Sequence, residues 1–521
     1  MSIAIEKPEL SWDSAFINRM RDQLTDIQAS LYAAEASYDL IASSLSPRHR
    51  LSALNLLHYL AFRQHDVRQL QDDLASIGLS SLGRAESNVV HSIDQVLKIL
   101  SALAGEQEAA GHREFAVPDH ISGPGLLTSN TVSLLGERPS QRSVRIMVTM
   151  PSEAADDRKL IVDLISSGMN CARINCAHDD ATVWMRMIEG VRAAEADTGC
   201  LCRILMDVAG PKLRTGPVSG ECETQDKNYL LLKEGDILNL TKSLTPGAPA
   251  ILNGKGKTVR HAHIGCTLPE VFSYVKKGER IWFDDGKIGG VIEKVMDRSI
   301  QIRISKARAK GRKLRGEKGI NLPDSRLRLP ALTTKDHNDL DFIAANADMV
   351  GLSFVQSVTD VDDLIEGLKQ RKANTGVVLK VETMHAFELL PELILAAMKS
   401  DRIGVMIARG DLAVECGYER LAEVQEEILW LCEAAHVPVI WATQVLENLA
   451  QTGQPSRAEI TDAAMGVRAE CVMLNKGPYV AQAVHTLDDI LHRMEAHQSK
   501  KRSLLRRLMS WGRTDLTPEA H

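Results

Sequence analysis

The stretch VVLKVETMHAFELLPELILAAMKSDRIGVMIARGD (377–411) decides the fold. It opens on a short apolar, β-branched run, passes through an amphipathic helical segment, and returns to a second apolar run, IGVMIA (403–408). That alternation is the pattern of βα units whose parallel strands are buried on both faces. Each run also meets charge at its end: Lys380 and Glu382 close the first, and Asp411 follows the second. Charged side chains seldom end apolar core strands unless they are paired or hold a ligand. The same few residues therefore predict both an α/β fold and the end of the strands at which its site lies.

Working outward, six further runs have the same character: RIMVTM (145–150), CARINC (171–176), RILMDV (203–208), MVGLSF (349–354), VPVIWAT (437–443) and CVMLN (471–475). Eight parallel strands can close a barrel. An open doubly wound sheet gives a similar alternation, but the polar residues gather at the strand ends, as they do at the C-terminal mouth of a (β/α)8 barrel. Arg173 and Asn175 end the second run, Asp207 the third and Thr443 the seventh. The gap between the third and fourth runs is too long for one helix. It contains NYLLLKEGDILNL (228–240), ERIWFDDGKIGGVIEKV (279–295) and SIQIRISKA (299–307), which read as hairpin-linked strands. Ahead of the barrel, residues 14 to 105 place apolar residues at helical spacing, for example Ala53, Leu56, Leu57 and Leu60.

The expected architecture is a (β/α)8 TIM barrel with an inserted β lid domain and an N-terminal α-helical module. Its divisions are 1–140 (helical module and, from 106, a linker rich in Pro and Gly), 141–215 (barrel, first part), 216–325 (lid), 326–498 (barrel, second part) and 499–521 (basic tail).

Composition bounds the function. A hydrophobic fraction of 44% and a charged fraction of 25% belong to an ordinary globular chain, and a net charge of −6 gives no global attraction to nucleic acid. The chain carries no long apolar run and no signal-like start, so a cytoplasmic location without stable membrane insertion is expected. Nine cysteines without CxxC spacing read as reduced packing residues. At the mouth, Glu382 and Asp411 offer hard oxygen ligands for Mg²⁺ or Mn²⁺, and Arg173, Lys380 and Arg214 offer positive charge to a phosphorylated anion. Each residue taken singly also reads as a solvated surface group or strand filler. Their convergence suits phosphoryl transfer, where catalysis is mainly positioning and charge neutralisation.

Six motifs in order carry a resemblance to the pyruvate kinase family: SGMNCARINCAH (167–178), MDVAGPKLRTG (206–216), RGEKGINLP (315–323), VVLKVETMHAFE (377–388), IARGDLAVE (407–415) and WATQVLENLAQTGQPSRAEITD (441–462). The resemblance implies transfer of the phosphoryl group of phosphoenolpyruvate to ADP, giving pyruvate and ATP. It implies Lys380 at the transferring phosphoryl group, Arg173 on the substrate phosphate, and Gly410 with Thr443 positioning the substrate carboxylate. Glu382 and Asp411 are implied as ligands of Mg²⁺ or Mn²⁺. Asn175, His178, Arg214 and Lys318 match positions on the nucleotide side, and Asp285 falls near the lid tip.

Three departures from the family pattern change the expectation. Ala177 and Val208 stand where K⁺-dependent members carry hydroxyl ligands, and Lys212 stands in place of a Glu. An ammonium there supplies the fixed charge that K⁺ otherwise brings, so K⁺-independent activity is expected, unless Lys212 is a solvated loop lysine. The first-strand loop TMPSEAADD (149–157) lacks the family glycine beside the nucleotide. After the eighth strand NKGP (475–478) brings Lys476 to the mouth, as a phosphate contact or a rim residue.

The barrel pattern stops near 495, so the family's regulatory domain and activation through it are not expected. The basic, apolar-interleaved SKKRSLLRRLMSWGR (499–513) reads as a terminal helix docking on its own protein. In NLLHYLAFRQHDVRQLQDDLASIGLSSLGRAE (55–86), His58, His65, Arg63, Arg68 and Arg84 admit a ligand-sensing site, but an apolar helical stripe is more simply packing or oligomerisation, and a homo-oligomer is expected. Two other functions fit the residues less well. A metal-dependent lyase or aldolase on the same barrel has no use for the lid or Lys318, and a silent sensor or scaffold has no use for Lys380, Glu382, Asp411 and Thr443 together.

Overall fold

All eight runs form strands: β1 (Arg145–Thr149), β2 (Cys171–Asn175), β3 (Arg203–Asp207), β4 (Met349–Leu352), β5 (Gly376–Val381), β6 (Ile403–Ala408), β7 (Val439–Ala442) and β8 (Cys471–Leu474). The computed structural model describes residues 13–105, 115–219, 228–255, 257–500 and 502–504. The strands are parallel and pair in chain order, and β8 returns to β1 in the register Arg145↔Cys471, so the sheet closes into a barrel. Every residue of β1 and of β4 to β8 is buried, as strands covered on both faces require. The strands stop one or two residues short of most of the apolar runs. Glu382, Thr443 and Asn475 therefore fall just past the strand ends, in the loops that make the mouth.

Local sequence fixes the approaches to that mouth. Thr333 and Ser357 start the helices Thr334–Asn346 and Val358–Gln370 with capping boxes closed by Asp336 and Asp360. Asp336 also accepts from the amides of Ala209 (2.8 Å) and Gly210 (3.2 Å), which pins the chain where it leaves β3 for the insertion.

That insertion has its own core. A six-stranded sheet runs in the order Ile320–Asn321, Arg280–Phe283, Ile288–Met296, Ser299–Lys306, Ile237–Thr241, Ala262–Gly265. In Ser299–Lys306 the period of two is plain: Ile300, Ile302 and Ile304 point inward, between partly or fully exposed neighbours. The turn at Asp284 and Asp285 takes left-handed backbone (φ 52° and 55°). Asp285, expected near the lid tip, lies at this turn, and its carbonyl accepts from Tyr418 Oη at 3.5 Å.

The expected helical module is present as α1 (Ser14–Ile41), α2 (Arg50–Phe62), α3 (Arg68–Ser76) and α4 (Val89–Leu103), and its apolar faces join one continuous core with the barrel's outer layer. Buried Asn55 marks the junction, donating to the carbonyls of Glu86 (2.7 Å) and Ala434 (2.8 Å). Residues 106–140 are more than the expected linker, since they contain helix α5 (Ser122–Leu135). Its Leu134 and Leu135 enter the barrel interior with Met147, Leu205, Val378 and Met406. A Cβ on Gly376 or Gly404 would stand 2.5 Å from a Leu134 methyl, so only glycine at these two strand positions admits the leucine.

At the other terminus, Gln498–Ser499 pairs antiparallel with Arg502–Ser503. The rest of the basic tail, 505–521, lies outside the described residues. Among the described residues no helix is long and apolar enough to cross a membrane.

Candidate active site

Lys380 projects from β5 into the mouth. Its ammonium meets Ser353 Oγ at 2.8 Å, Asp207 Oδ2 at 3.1 Å and Glu382 Oε1 at 3.2 Å. Arg173 on β2 grips the same Asp207 oxygen through Nε (2.8 Å) and Nη2 (2.7 Å), and donates to Thr149 Oγ1 at 3.0 Å. Asp207, Lys380 and Glu382 are all buried, so their charges survive only by mutual neutralisation. Burial opposes the Asp207 charge, but Arg173 and Lys380 outweigh it and hold its carboxyl below the usual value. Burial likewise opposes the Lys380 ammonium, and Asp207 and Glu382 outweigh it, leaving the amine more basic than usual.

Glu382 differs from Asp207. Its Oε2 accepts the Phe354 amide at 2.6 Å, yet burial raises its pKa, and the nearby Asp411 charge adds to that against Lys380 and Lys212. The Asp411 charge acts on Glu382, and a cation held by both carboxylates would relieve that repulsion. The donor set suits a hard divalent ion, whose remaining positions water and substrate would fill. No group of three or more His, Cys, Asp or Glu that could hold a metal occurs among the described residues.

Asp411 lies in the first turn of the helix Arg409–Cys416, and both of its oxygens are engaged by Lys212 Nζ, at 3.2 and 3.0 Å. The Gly410 amide donates to Thr443 Oγ1 at 2.7 Å, joining the two residues read from the sequence as a carboxylate clamp. Thr443, Gln444 and Leu446 take left-handed backbone (φ 63°, 57° and 46°). Arg409 holds this strained turn, donating to the Ala442 and Thr443 carbonyls at 3.2 and 2.7 Å while two hydrogen bonds of 2.6 and 2.9 Å fix it to Asp462.

On the far side of Arg173 a cavity of about 270 Å³ is lined by Thr149, Asn175, His178, Glu447, Gln451 and Lys476, among others. Burial lowers the His178 pKa, with the charges of Lys476 and Arg214 adding to it. The other two residues matched to the nucleotide side do not line this cavity. Arg214 donates to the Glu317 carbonyl at 3.1 Å, and Lys318 pairs with Asp284 at 3.4 Å, both at the root of the inserted sheet.

Sequence reasoning missed Ser353, which holds Lys380 and in turn donates to the Val208 carbonyl at 2.7 Å. Nothing in MVGLSF sets that serine apart. Arg409 and Asp462 were also missed, although a charge directly after an apolar strand was the signal that found Asp411.

The family profile described as pyruvate kinase, barrel domain, matches residues 141–484. Pyruvate kinase of Geobacillus stearothermophilus is 31% identical over 364 residues, which cover 68% of this chain and 57% of that protein. Pyruvate kinase 1 of Trypanosoma brucei brucei is 30% identical over 354 residues, covering 66% of this chain and 65% of that one. Pyruvate kinase of Staphylococcus aureus (strain USA300) is 29% identical over 370 residues, 70% and 59% of the two chains. The chain thus matches 57 to 65% of the length of these curated relatives.

Proposed function

The chain belongs to the pyruvate kinase family, and on that premise we propose that it transfers the phosphoryl group of phosphoenolpyruvate to ADP, giving pyruvate and ATP. The observation that carries this reading is the Lys380 ammonium, buried at the barrel mouth between Asp207, Glu382 and Ser353. A desolvated, fixed cation stabilises charge far better than a solvated one, and needs no reorganisation at the moment of reaction.

Each step is assigned to residues of the mouth and the inserted sheet. Arg173, oriented by Asp207 and Thr149, grips the substrate phosphate. Lys380 supports the charge on the phosphoryl group while its bond to the enolpyruvate oxygen breaks and a bond to the terminal ADP oxygen forms. The Gly410 amide and the Thr443 hydroxyl exchange their mutual hydrogen bond for the substrate carboxylate. The enolpyruvate then takes a proton at its methylene carbon. Glu382 and Asp411 hold Mg²⁺ or Mn²⁺, which when bound lends positive charge to the reacting oxygens. Asn175 and His178, with Lys476 beside them, face the nucleotide, and Arg214 and Lys318 approach it as the inserted sheet closes to exclude water.

Activity without K⁺ is part of the proposal. Ala177 and Val208 offer no side-chain oxygen, and the Lys212 ammonium brings fixed positive charge to the mouth beside Asp411. The test is pyruvate formation from phosphoenolpyruvate and ADP with Mg²⁺ or Mn²⁺, in potassium-free buffer and with K⁺ added. Equal activity in both supports the whole reading. Activity only with K⁺ keeps the kinase and removes the Lys212 argument. Pyruvate formation that does not need ADP points to a lyase, and no turnover with any diphosphate points to a sensor. Sedimentation of the same preparation checks the expected homo-oligomer.

A further inference from the structure

Lys212, expected as the substitute for a monovalent cation, places its ammonium on Asp411. The reason lies in the path of the chain. Asp336 fixes Ala209 and Gly210 just past β3, which sets the direction of the short connection to the inserted sheet. The Lys212 stem then runs past Gly319, where a Cβ would lie 3.4 Å from Lys212 Cε, and its ammonium stands 5.5 Å from the centre of the Phe354 ring. From there Nζ reaches both oxygens of Asp411, at 3.2 and 3.0 Å. Both side chains are partly buried, at 27% and 19% exposure, so solvent screens the pair only in part.

An ammonium that straddles both oxygens of a carboxylate stands on the face that a hard cation bound by that carboxylate uses. Two cations cannot share one carboxylate face at about 3 Å in a partly dehydrated site without strong repulsion. We propose that Lys212 is the internal occupant of the divalent-ion position: the ion binds at Glu382 and Asp411 by displacing this ammonium, so the chain alone holds the ion more weakly than its two carboxylates would. This rests on the metal assignment above and deepens it. It also makes ion binding an exchange in which the Lys212 ammonium gives up Asp411 but stays at the mouth, where its charge takes the place of K⁺. Because Lys212 belongs to the connection beside Gly319, the exchange removes one tie between the root of the inserted sheet and the barrel helix, while Asn321 keeps its hydrogen bond to Glu415 at 3.2 Å.

The test is Mn²⁺ binding to the full chain without substrate, followed by electron paramagnetic resonance of the free ion. Lys212→Met removes the ammonium and keeps the stem, and Lys212→Arg keeps a cation. Asp411→Asn locates the ion. Lys212→Met is expected to tighten Mn²⁺ binding by about fivefold or more, as a partly screened ion pair implies. Lys212→Arg should stay close to the unsubstituted chain, and Asp411→Asn should lose most of the binding. Thermal unfolding of each variant confirms that the fold is kept. Equal or weaker Mn²⁺ binding by Lys212→Met overturns the proposal while leaving the metal assignment standing. Undiminished binding by Asp411→Asn overturns both.

Discussion

Lys380 Nζ reaches Asp207 Oδ2 at 3.1 Å across an intervening strand, because the residue between them is glycine. Asp207 ends β3 and Lys380 lies in β5, with Gly351 of β4 between. A Cβ there would stand 2.0 Å from Asp207 Oδ1 and 3.4 Å from Lys380 Cδ. The charge cluster at the mouth is thus a product of barrel register as well as of the charged residues themselves.

Lys380→Met tests the centre of that cluster. Asp207 keeps Arg173, but Glu382 loses its nearest cation while remaining buried. Turnover is expected to fall by about 10³-fold or more, as when a preorganised charge aimed at a transition state is removed. Steady-state kinetics on a folded variant measures this, and turnover within tenfold of the unsubstituted chain would remove Lys380 from its proposed role.

Arg409→Lys tests a residue that touches none of the proposed reacting atoms. Lysine keeps the charge but cannot hold Asp462 in a two-pronged grip while also reaching the Ala442 and Thr443 carbonyls. The left-handed turn at Thr443 should relax, moving the hydroxyl from the Gly410 amide. The expected outcome is a rise in the KM for phosphoenolpyruvate by about tenfold with a smaller loss of kcat, since a misplaced positioning group alone costs up to about 10²-fold. A loss confined to kcat would contradict the positioning role.

The sequence made the barrel legible because its strands are buried on both faces and so read as unbroken apolar runs, with the site residues standing out as charges at their ends. Helix α5 was missed for an equally physical reason. SGPGLL (122–127) looks like a breaker, but Gly123 and Pro124 fall in the first turn of Ser122–Leu135, where the amides have no intrahelical partner and proline costs little. What a side chain meets across the chain was not legible at all. Asn55 finds Ala434 and Lys212 finds Asp411 through folding, and no local pattern marks either pair.

The junction between the N-terminal helices and the barrel should be acid-sensitive. His436 Nδ1 faces Ser52 Oγ at 3.0 Å and its Nε2 faces the Ser87 carbonyl at 2.8 Å, while His49 Nε2 faces the Asp401 carbonyl at 3.1 Å. Burial pushes both imidazoles down to about 4. The unfolded chain takes these protons near 6.5, so the folded chain is favoured above that pH and loses stability as pH falls from 6.5 toward 4, by up to about 3 kcal/mol for each histidine. Denaturant unfolding at pH 7.5 and pH 5 measures the loss. His436→Asn, which tolerates the left-handed φ of 51°, should lower the pH slope by about one proton, and an unchanged slope would rule His436 out as the sensitive group.

The floor of the barrel gives a prediction that separates stability from catalysis. Leu134 of α5 is fully buried, so Leu134→Ala should cost about 3 to 4 kcal/mol through lost burial and the cavity left behind. Its neighbours line the barrel interior at the N-terminal ends of the strands, away from Lys380, so turnover at 25 °C should change little. Gly376→Ala should destabilise for the opposite reason, because its Cβ would stand 2.5 Å from Leu134 Cδ1. The two changes occupy the same space. In the double variant the added methyl enters the room the leucine vacated, and the loss should be smaller than the sum of the two single losses by about 1 kcal/mol or more. Strictly additive losses in a denaturant series would mean that α5 does not seat Leu134 against Gly376, and the plugged floor would have to be abandoned.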